Sequence, residues 1–170
     1  DYIIQAVETG KISGDGKFTK LCHEFFEERY GFKKAMLTTS CTDALEMSAI
    51  LLDFKPGEEV IIPSFTFVST ANAFAIRGIK IVFADSEETS PNIDVSKIEE
   101  LITPATKAIA IVHYAGIACD MEPLMKLTEK HGLHLIEDAA HSIDSFHKNR
   151  PLGTFGSLSA FSFHETKNVI

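Results

Sequence analysis

The sequence predicts an α/β fold, a mostly parallel mixed sheet with helices on both faces, and three observations carry that prediction. Apolar runs of strand length alternate with helix-length segments over most of the chain. The runs, Ala108-Ile109-Ala110-Ile111-Val112 foremost, are apolar at consecutive positions, as strands are when both of their faces are covered. Small polar and charged motifs follow directly after the runs, at the strand C-termini where ligands of such sheets bind.

In chain order, Leu21, Phe25, Phe26 and Tyr30 are spaced for one face of a helix over Phe18 to Tyr30, which Gly31 stops. Short apolar stretches predict strands at Ala35 to Leu37, Glu59 to Ile62, Ile79 to Phe83, Lys107 to Val112, His134 to Glu137 and Ser159 to Phe163. Helices are expected between them at Thr42 to Leu52, Ser69 to Ile76, Val95 to Leu101 and Pro123 to His131. Pro56-Gly57, Ser90-Pro91-Asn92 and Lys148-Asn149-Arg150-Pro151 read as surface turns. No repeat, low-complexity tract or interdomain linker interrupts the pattern.

At 170 residues, 45% hydrophobic and 24% charged, the chain has room for one domain with a sizeable core. Its net charge of −8 argues against nucleic acid or an anionic membrane as partner, since phosphate binding draws on clustered Lys and Arg. No apolar run approaches the roughly 18 residues of a membrane span, and Asp1-Tyr2-Ile3-Ile4 lacks a signal-peptide pattern, so the expected location is cytoplasmic. Cys22, Cys41 and Cys119 are odd in number and widely spaced, which fits reduced thiols, and they show no zinc spacing. The absence of an initiator methionine, together with an end at Ile170 shortly after Lys167, gives the expectation of a piece of something longer.

Asp138 closes an apolar strand, a place where a carboxylate is costly unless paired. Lys167 follows the next strand. An acid and an amine so placed are what pyridoxal 5'-phosphate needs: the acid faces the protonated pyridine nitrogen and the lysine condenses with the aldehyde. Each residue also has a plainer reading. Asp138 could cap a helix or pair with Arg77 or Arg150, and most lysines are solvated. Ser40-Cys41-Thr42-Asp43 passes into a helix and could be an anion site or only a helix cap with Asp43 reciprocating Ser40. Phe67 could stack on a flat ring or sit in the core. His141 could donate to a cofactor oxygen or be a satisfied histidine, and Ser162 could bind phosphate or be an ordinary strand serine.

Other cofactor signatures fail. His164-Glu165 begins like a zinc-protease helix, but Asn168 stands where the second histidine belongs. Gly14-Asp15-Gly16 has Thr19 in place of a third glycine and no preceding strand, so it is no dinucleotide fingerprint. A P-loop is excluded by Lys11 at its first glycine and Phe18 at its Ser or Thr.

Five segments together resemble the DegT-type nucleotide-sugar aminotransferases, fold-type I pyridoxal phosphate enzymes: Ser40 to Leu45, Pro63 to Phe67, Val112 to Gly116, Glu137 to His141 and Phe161 to Asn168. The likeness runs in order along essentially the whole chain. Within the family it is greatest toward transaminases of dTDP-linked 4-amino-4,6-dideoxy sugars, in Thr66 to Phe74 and His164 to Asn168.

The resemblance implies a three-layer αβα large domain, incomplete at the C-terminus, with residues 1–170 its N-terminal part and the small C-terminal domain absent. It implies Lys167 as the cofactor-linked lysine and proton shuttle, with Asp138 at the pyridine nitrogen. Phe67 then stacks on the ring, His141 lies near the phenolic oxygen, and Cys41, Thr42 and Ser162 surround the phosphate. Cys41 and Asp43 depart from the glycine and small neutral residue of many relatives, so phosphate contacts there can be backbone only. Lys167 favours transamination over sugar dehydration, because dehydratases of the family carry histidine there. The implied substrates are an amino-acid donor, glutamate, and a 4-keto-6-deoxy sugar nucleotide, with a homodimer sharing its active sites, in cell-surface polysaccharide biosynthesis. The alternative is an inactive fragment serving as scaffold or dimerisation surface.

Overall fold

The computed structural model describes residues 1–11 and 13–168. They form two compact units, residues 1–39 and the chain from Ser40 onward. In the first, α1 spans Tyr2–Glu8, an element the sequence reading lacked, with the Asp1 carboxylate accepting from the Ile3 N–H at 3.0 Å as its cap. α2 spans Lys17–Tyr30 and stops at Gly31, which takes the left-handed conformation. The strand expected at Ala35 to Leu37 does not form. Its amides go to side chains of α2 instead: Ala35 N–H donates to Glu27 Oε1 at 3.0 Å and Leu37 N–H to His23 Nε2 at 2.8 Å. Amides spent on α2 are not offered to a sheet ladder.

The second unit is built on a five-stranded sheet of β1 (Glu59–Pro63), β2 (Lys80–Ala84), β3 (Thr106–Val112), β4 (His134–Asp138) and β7 (Leu158–Ala160), in the order β2-β1-β3-β4-β7. Within this five-stranded sheet every ladder among the described residues is parallel, and the antiparallel pairing lies in a separate two-stranded ribbon, so the largely parallel fold expected is found. Alternate strand residues serve opposite faces. Val60, Ile62, Ala108, Ala110, Ile136 and Ala160 pack with Leu45 and Ala49 of α3 (Cys41–Leu51) and with Ala73 and Phe74 of α4 (Val68–Ala75). Ile61, Ile109, Ile111 and Leu135 pack on the other face with Leu124 and Leu127 of α5 (Met121–His131) and with Ile93 and Ile98. Helices thus cover both faces, as the doubly apolar strands require.

Three further expectations change. The helix foreseen at Val95 to Leu101 is two short 3₁₀ turns, Val95–Lys97 and Glu99–Leu101, the first opened by Asp94 accepting from the Ser96 N–H. The strand foreseen at Ser159 to Phe163 ends at Ala160, because Ser162 turns its hydroxyl back to accept from the His164 N–H at 3.3 Å. Within Lys148 to Pro151 only Lys148 and Asn149 form the turn, both at positive φ, while Arg150–Pro151 is β6 and pairs antiparallel with β5, Phe146–His147.

Candidate active site

Parallel strands all end at the same edge, so β1, β3, β4 and β7 deliver Pro63, Val112, Asp138 and Ala160 to one side of the sheet. Register places Asp138 between Val112 on one neighbour and Ala160 on the other. Its carboxylate is buried at 4% exposure. It pairs with neither Arg77 nor Arg150 in a salt bridge among the described residues, and the Arg150 guanidinium lies over the Phe155 ring instead. Its partners are hydroxyl and backbone. Thr70 Oγ1, on the first turn of α4, donates to Oδ2 at 2.8 Å, and Ala140 N–H donates to Oδ1 at 3.2 Å. Since the Thr70 proton goes to Asp138, the Thr66 hydroxyl 2.7 Å away donates to Thr70 in turn. Burial raises the Asp138 carboxyl above its ordinary value; the Thr70 and Ala140 hydrogen bonds and the charges of His141 and Lys167 oppose it.

Lys167 lies on the segment after β7. Its amide donates to the His164 carbonyl at 2.8 Å, and the neighbouring Asn168 side chain donates to the Ile143 carbonyl at 2.7 Å, which ties this segment to the turn following β4. Lys167 Nζ stands 2.9 Å from His141 Nε2. The other ring nitrogen of His141 accepts from the Ala115 N–H at 3.1 Å. Burial, together with the nearby Lys167 cation, lowers the pKa of His141, against the pull of Asp138. Tyr114 sets its ring edge-on to His141 at 5.5 Å and to Phe65 at 5.3 Å.

The helix-cap reading of Ser40 to Asp43 describes a real feature. Ser40 Oγ accepts from the Asp43 N–H at 3.1 Å and donates to the Asp43 carboxylate at 2.9 Å, so this acid is turned toward its cap. The Thr42 hydroxyl pairs with Ser69 at 2.8 Å, joining the first turns of α3 and α4. Cys41 is brought near the acid and the amine: burial first, then the Asp138 charge, push its thiol up to about 12, with Lys167 opposing. Ser162 is buried beside β7, which packs against α3. Phe67, at the N-cap of α4, is 74% exposed, so it is not a core residue in this structure.

Sequence reasoning did not assign Thr66, Ser69, Thr70, Tyr114 or Asn168, although all lie in or beside the quoted motifs. Thr70 carried no local signal in the sequence: only the fold buries it and pairs it with Asp138.

Immediately before Asp138, Glu137 points to the other face and is fully buried with His113. Its Oε1 accepts from Phe155 N–H at 2.7 Å and Gly156 N–H at 2.5 Å, and its Oε2 from Gly153 N–H at 2.8 Å and His113 Nε2 at 2.9 Å. His113 Nδ1 accepts from Cys119 N–H at 3.3 Å, so the ring proton sits on Nε2 and is donated to Glu137. Gly156 comes so close to β4 that a Cβ there would meet the Leu135 carbonyl oxygen at 2.5 Å. This acid binds a loop to the sheet.

A buried acid with two described donors, and an amine that acts on its charge, stand together at the strand ends. The chain belongs to the DegT/DnrJ/EryC1/StrS aminotransferase family, whose model matches residues 1–170. It is 40% identical to the spore coat polysaccharide biosynthesis protein SpsC of Bacillus subtilis over 98% of this chain and 43% of that one. It is 35% identical to GDP-perosamine synthase of Caulobacter vibrioides over 99% of this chain and 46% of that one. Among solved structures, NtdA from Bacillus subtilis with bound cofactor PMP superposes with a TM-score of 0.90 at 30% identity, over 98% of this chain and 37% of that one. The chain thus spans less than half the length of these relatives. Pyridoxal phosphate is the cofactor of this fold and family, and the donor set here has the chemistry that group needs: a buried carboxylate, a primary amine beside it and a capped helix N-terminus.

Proposed function

We propose that this chain carries the cofactor-binding part of the large domain of a pyridoxal phosphate-dependent aminotransferase acting on a nucleoside-diphosphate-linked 4-keto-6-deoxy sugar, with glutamate as amino donor. The single observation that carries the proposal is the Lys167 amine 2.9 Å from His141, three residues after the buried Asp138. Pyridoxal phosphate, when bound, supplies the aldehyde that takes up the amino group and a ring that draws off electrons. Asp138 holds a proton on the pyridine nitrogen, where its own burial is relieved by a cationic partner. With the cofactor bound, Lys167 would be the residue that holds it covalently and, as a free amine, the base that moves the proton from the donor's α-carbon. Phe67 would cover one ring face, His141 would donate toward the phenolic oxygen, and backbone N–H groups of Cys41 and Thr42, with the Ser162 hydroxyl, would hold the phosphate.

The sugar nucleotide is a finer matter. The likeness of Thr66 to Phe74 and His164 to Asn168 to dTDP-4-amino-4,6-dideoxygalactose transaminase supports a dTDP sugar, whereas the relative named above as GDP-perosamine synthase supports a GDP sugar. A shared-site homodimer, a small C-terminal domain beyond this region and a cytoplasmic place in polysaccharide synthesis complete the proposal; no helix here is long and apolar enough to cross a membrane among the described residues. The scaffold reading is not favoured, since a chain serving only as a scaffold has no need to bring acid, amine and imidazole together.

The test is borohydride reduction with pyridoxal phosphate followed by peptide mapping, then turnover with dTDP- and GDP-linked 4-keto sugars. Label on Lys167, lost together with turnover in Lys167→Ala, is the expected result. Label spread over surface lysines of the intact protein, or full activity in the variant, sinks the assignment.

A further inference from the structure

The turn between β3 and α5 contains more engineering than a connection requires. Ala115 is left-handed at φ 53°, ψ 24°, a conformation that an alanine rarely adopts, and Gly116 follows at φ 76°. A Cβ on Gly116 would meet Ser145 Oγ at 2.6 Å and the His141 carbonyl oxygen at 3.0 Å, so this turn is pressed onto the segment that carries His141. Both of its ends are held by one side chain from elsewhere. Asn92, 3% exposed, accepts from the Tyr114 N–H and donates to the Ile117 carbonyl, each at 3.1 Å. With the turn so fixed, the Ala115 N–H is aimed at His141 Nδ1.

A backbone N–H can only donate, and an imidazole nitrogen that accepts carries no proton. The structure therefore assigns to Asn92 the part of a positioning residue: by clamping the turn at Tyr114 and Ile117 it fixes His141 as the Nε2–H tautomer, so that the ring presents a donor toward Lys167. A donated Nε2–H calls for a lone pair on the group it faces, and the Lys167 nitrogen 2.9 Å away offers one only when unprotonated, the form that condenses with an aldehyde. The opposite arrangement, an ammonium donating to Nε2, would put the ring proton on Nδ1 against the Ala115 N–H. The turn excludes it. The inference rests on the reading of this site as a cofactor pocket for its purpose, and on hydrogen-bond geometry alone for its substance.

Long-range proton–nitrogen NMR of the apoprotein with labelled histidine reads the tautomer directly. In the wild-type protein His141 should show one protonated nitrogen, Nε2, and one unprotonated nitrogen, Nδ1. In Asn92→Ala, with the fold checked by circular dichroism, the two resonances should shift toward each other as both tautomers become populated. Ala115→Gly, which keeps the N–H and suits the left-handed turn, should retain the wild-type pattern. A wild-type ring protonated on Nδ1 overturns the inference whether or not any variant folds. A folded Asn92→Ala protein with an unmoved Nε2–H pattern overturns the role of Asn92. The measurement needs no cofactor, so label on Lys167 after borohydride with the wrong tautomer defeats only this inference, while the right tautomer without label defeats only the cofactor assignment.

Discussion

Glu137 and Asp138 are consecutive acids on one strand, both buried, and they face opposite sides of the sheet. Glu137 receives four donors, of which three are backbone N–H groups of the 153–156 loop. Asp138 receives two among the described residues, and one of those is a hydroxyl that can rotate. A carboxylate has about four lone-pair positions to fill, so the first acid is saturated and the second retains capacity. The saturated acid is a structural joint. The unsaturated one is the acid that the proposed function pairs with the cofactor. Burial alone does not separate these roles, but the number and rigidity of the donors do.

The largest test of that contrast is a pair of charge-removing substitutions. Glu137→Gln turns a donor group toward backbone N–H groups that cannot turn away, and it should cost about 3–5 kcal/mol in urea unfolding, or prevent folding. Asp138→Asn meets a hydroxyl able to accept instead of donate, and it should cost about 1 kcal/mol while abolishing tight cofactor binding. Equal losses of stability in the two variants would remove the distinction.

Next in size is Thr70→Val, which strips Asp138 Oδ2 of its hydroxyl donor at nearly constant shape and should cost about 1–3 kcal/mol. It also removes the foremost influence holding the carboxyl down, so Asp138 should rise further. The sign then follows from linkage. As pH climbs past 3.8 the unfolded chain has lost this proton and the folded one has not, so the apoprotein loses stability until the folded pKa is passed, and Thr70→Val widens that window. A pH series of urea midpoints for the two proteins measures it; identical slopes would mean that the hydroxyl does not tune the acid.

The smallest effect concerns two thiols, one beside each acid. Cys41 and Cys119 are both pushed up to about 12, chiefly by burial, with Asp138 contributing to the first and Glu87, then Glu137, to the second. Adding pyridoxal phosphate should slow alkylation of Cys41 severalfold and leave Cys119 unchanged, as read by mass spectrometry of the labelled peptides. Protection of Cys119 alone would put the cofactor on the wrong side of the sheet.

Much of this architecture was legible in the sequence because buried parallel strands announce themselves. Ile109 and Ile111 serve one face while Ala108 and Ala110 serve the other, and no polar residue interrupts the run. Asp138 stood out as a charge at the end of an apolar strand, whereas Lys167, in a short polar stretch after the next strand, gained its weight only from Asp138. The 35–37 segment misled because its apolar residues say nothing about where its amides go, and two α2 side chains claim them. Asn92 and Thr70 were illegible for a different reason. Each is an ordinary polar residue locally, and each acquires its task from a partner at least 22 positions away that only the completed sheet brings near.

The parallel order of the strands also governs when the pocket comes into being. No neighbour in the main sheet can zip up from a hairpin; each ladder waits for a crossover to close, and the entropy of that loop is spent before contacts repay it. The proposed site draws on Cys41, Thr70, Asp138 and Lys167, which lie at the ends of separate strands and helices, so it is assembled only when those crossovers are closed. A cofactor that recognises only the finished arrangement pulls the chain toward it by mass action, worth about 2.7 kcal/mol at a hundred times its dissociation constant. Vitamin supply would then set the amount of folded protein as well as the activity of each molecule.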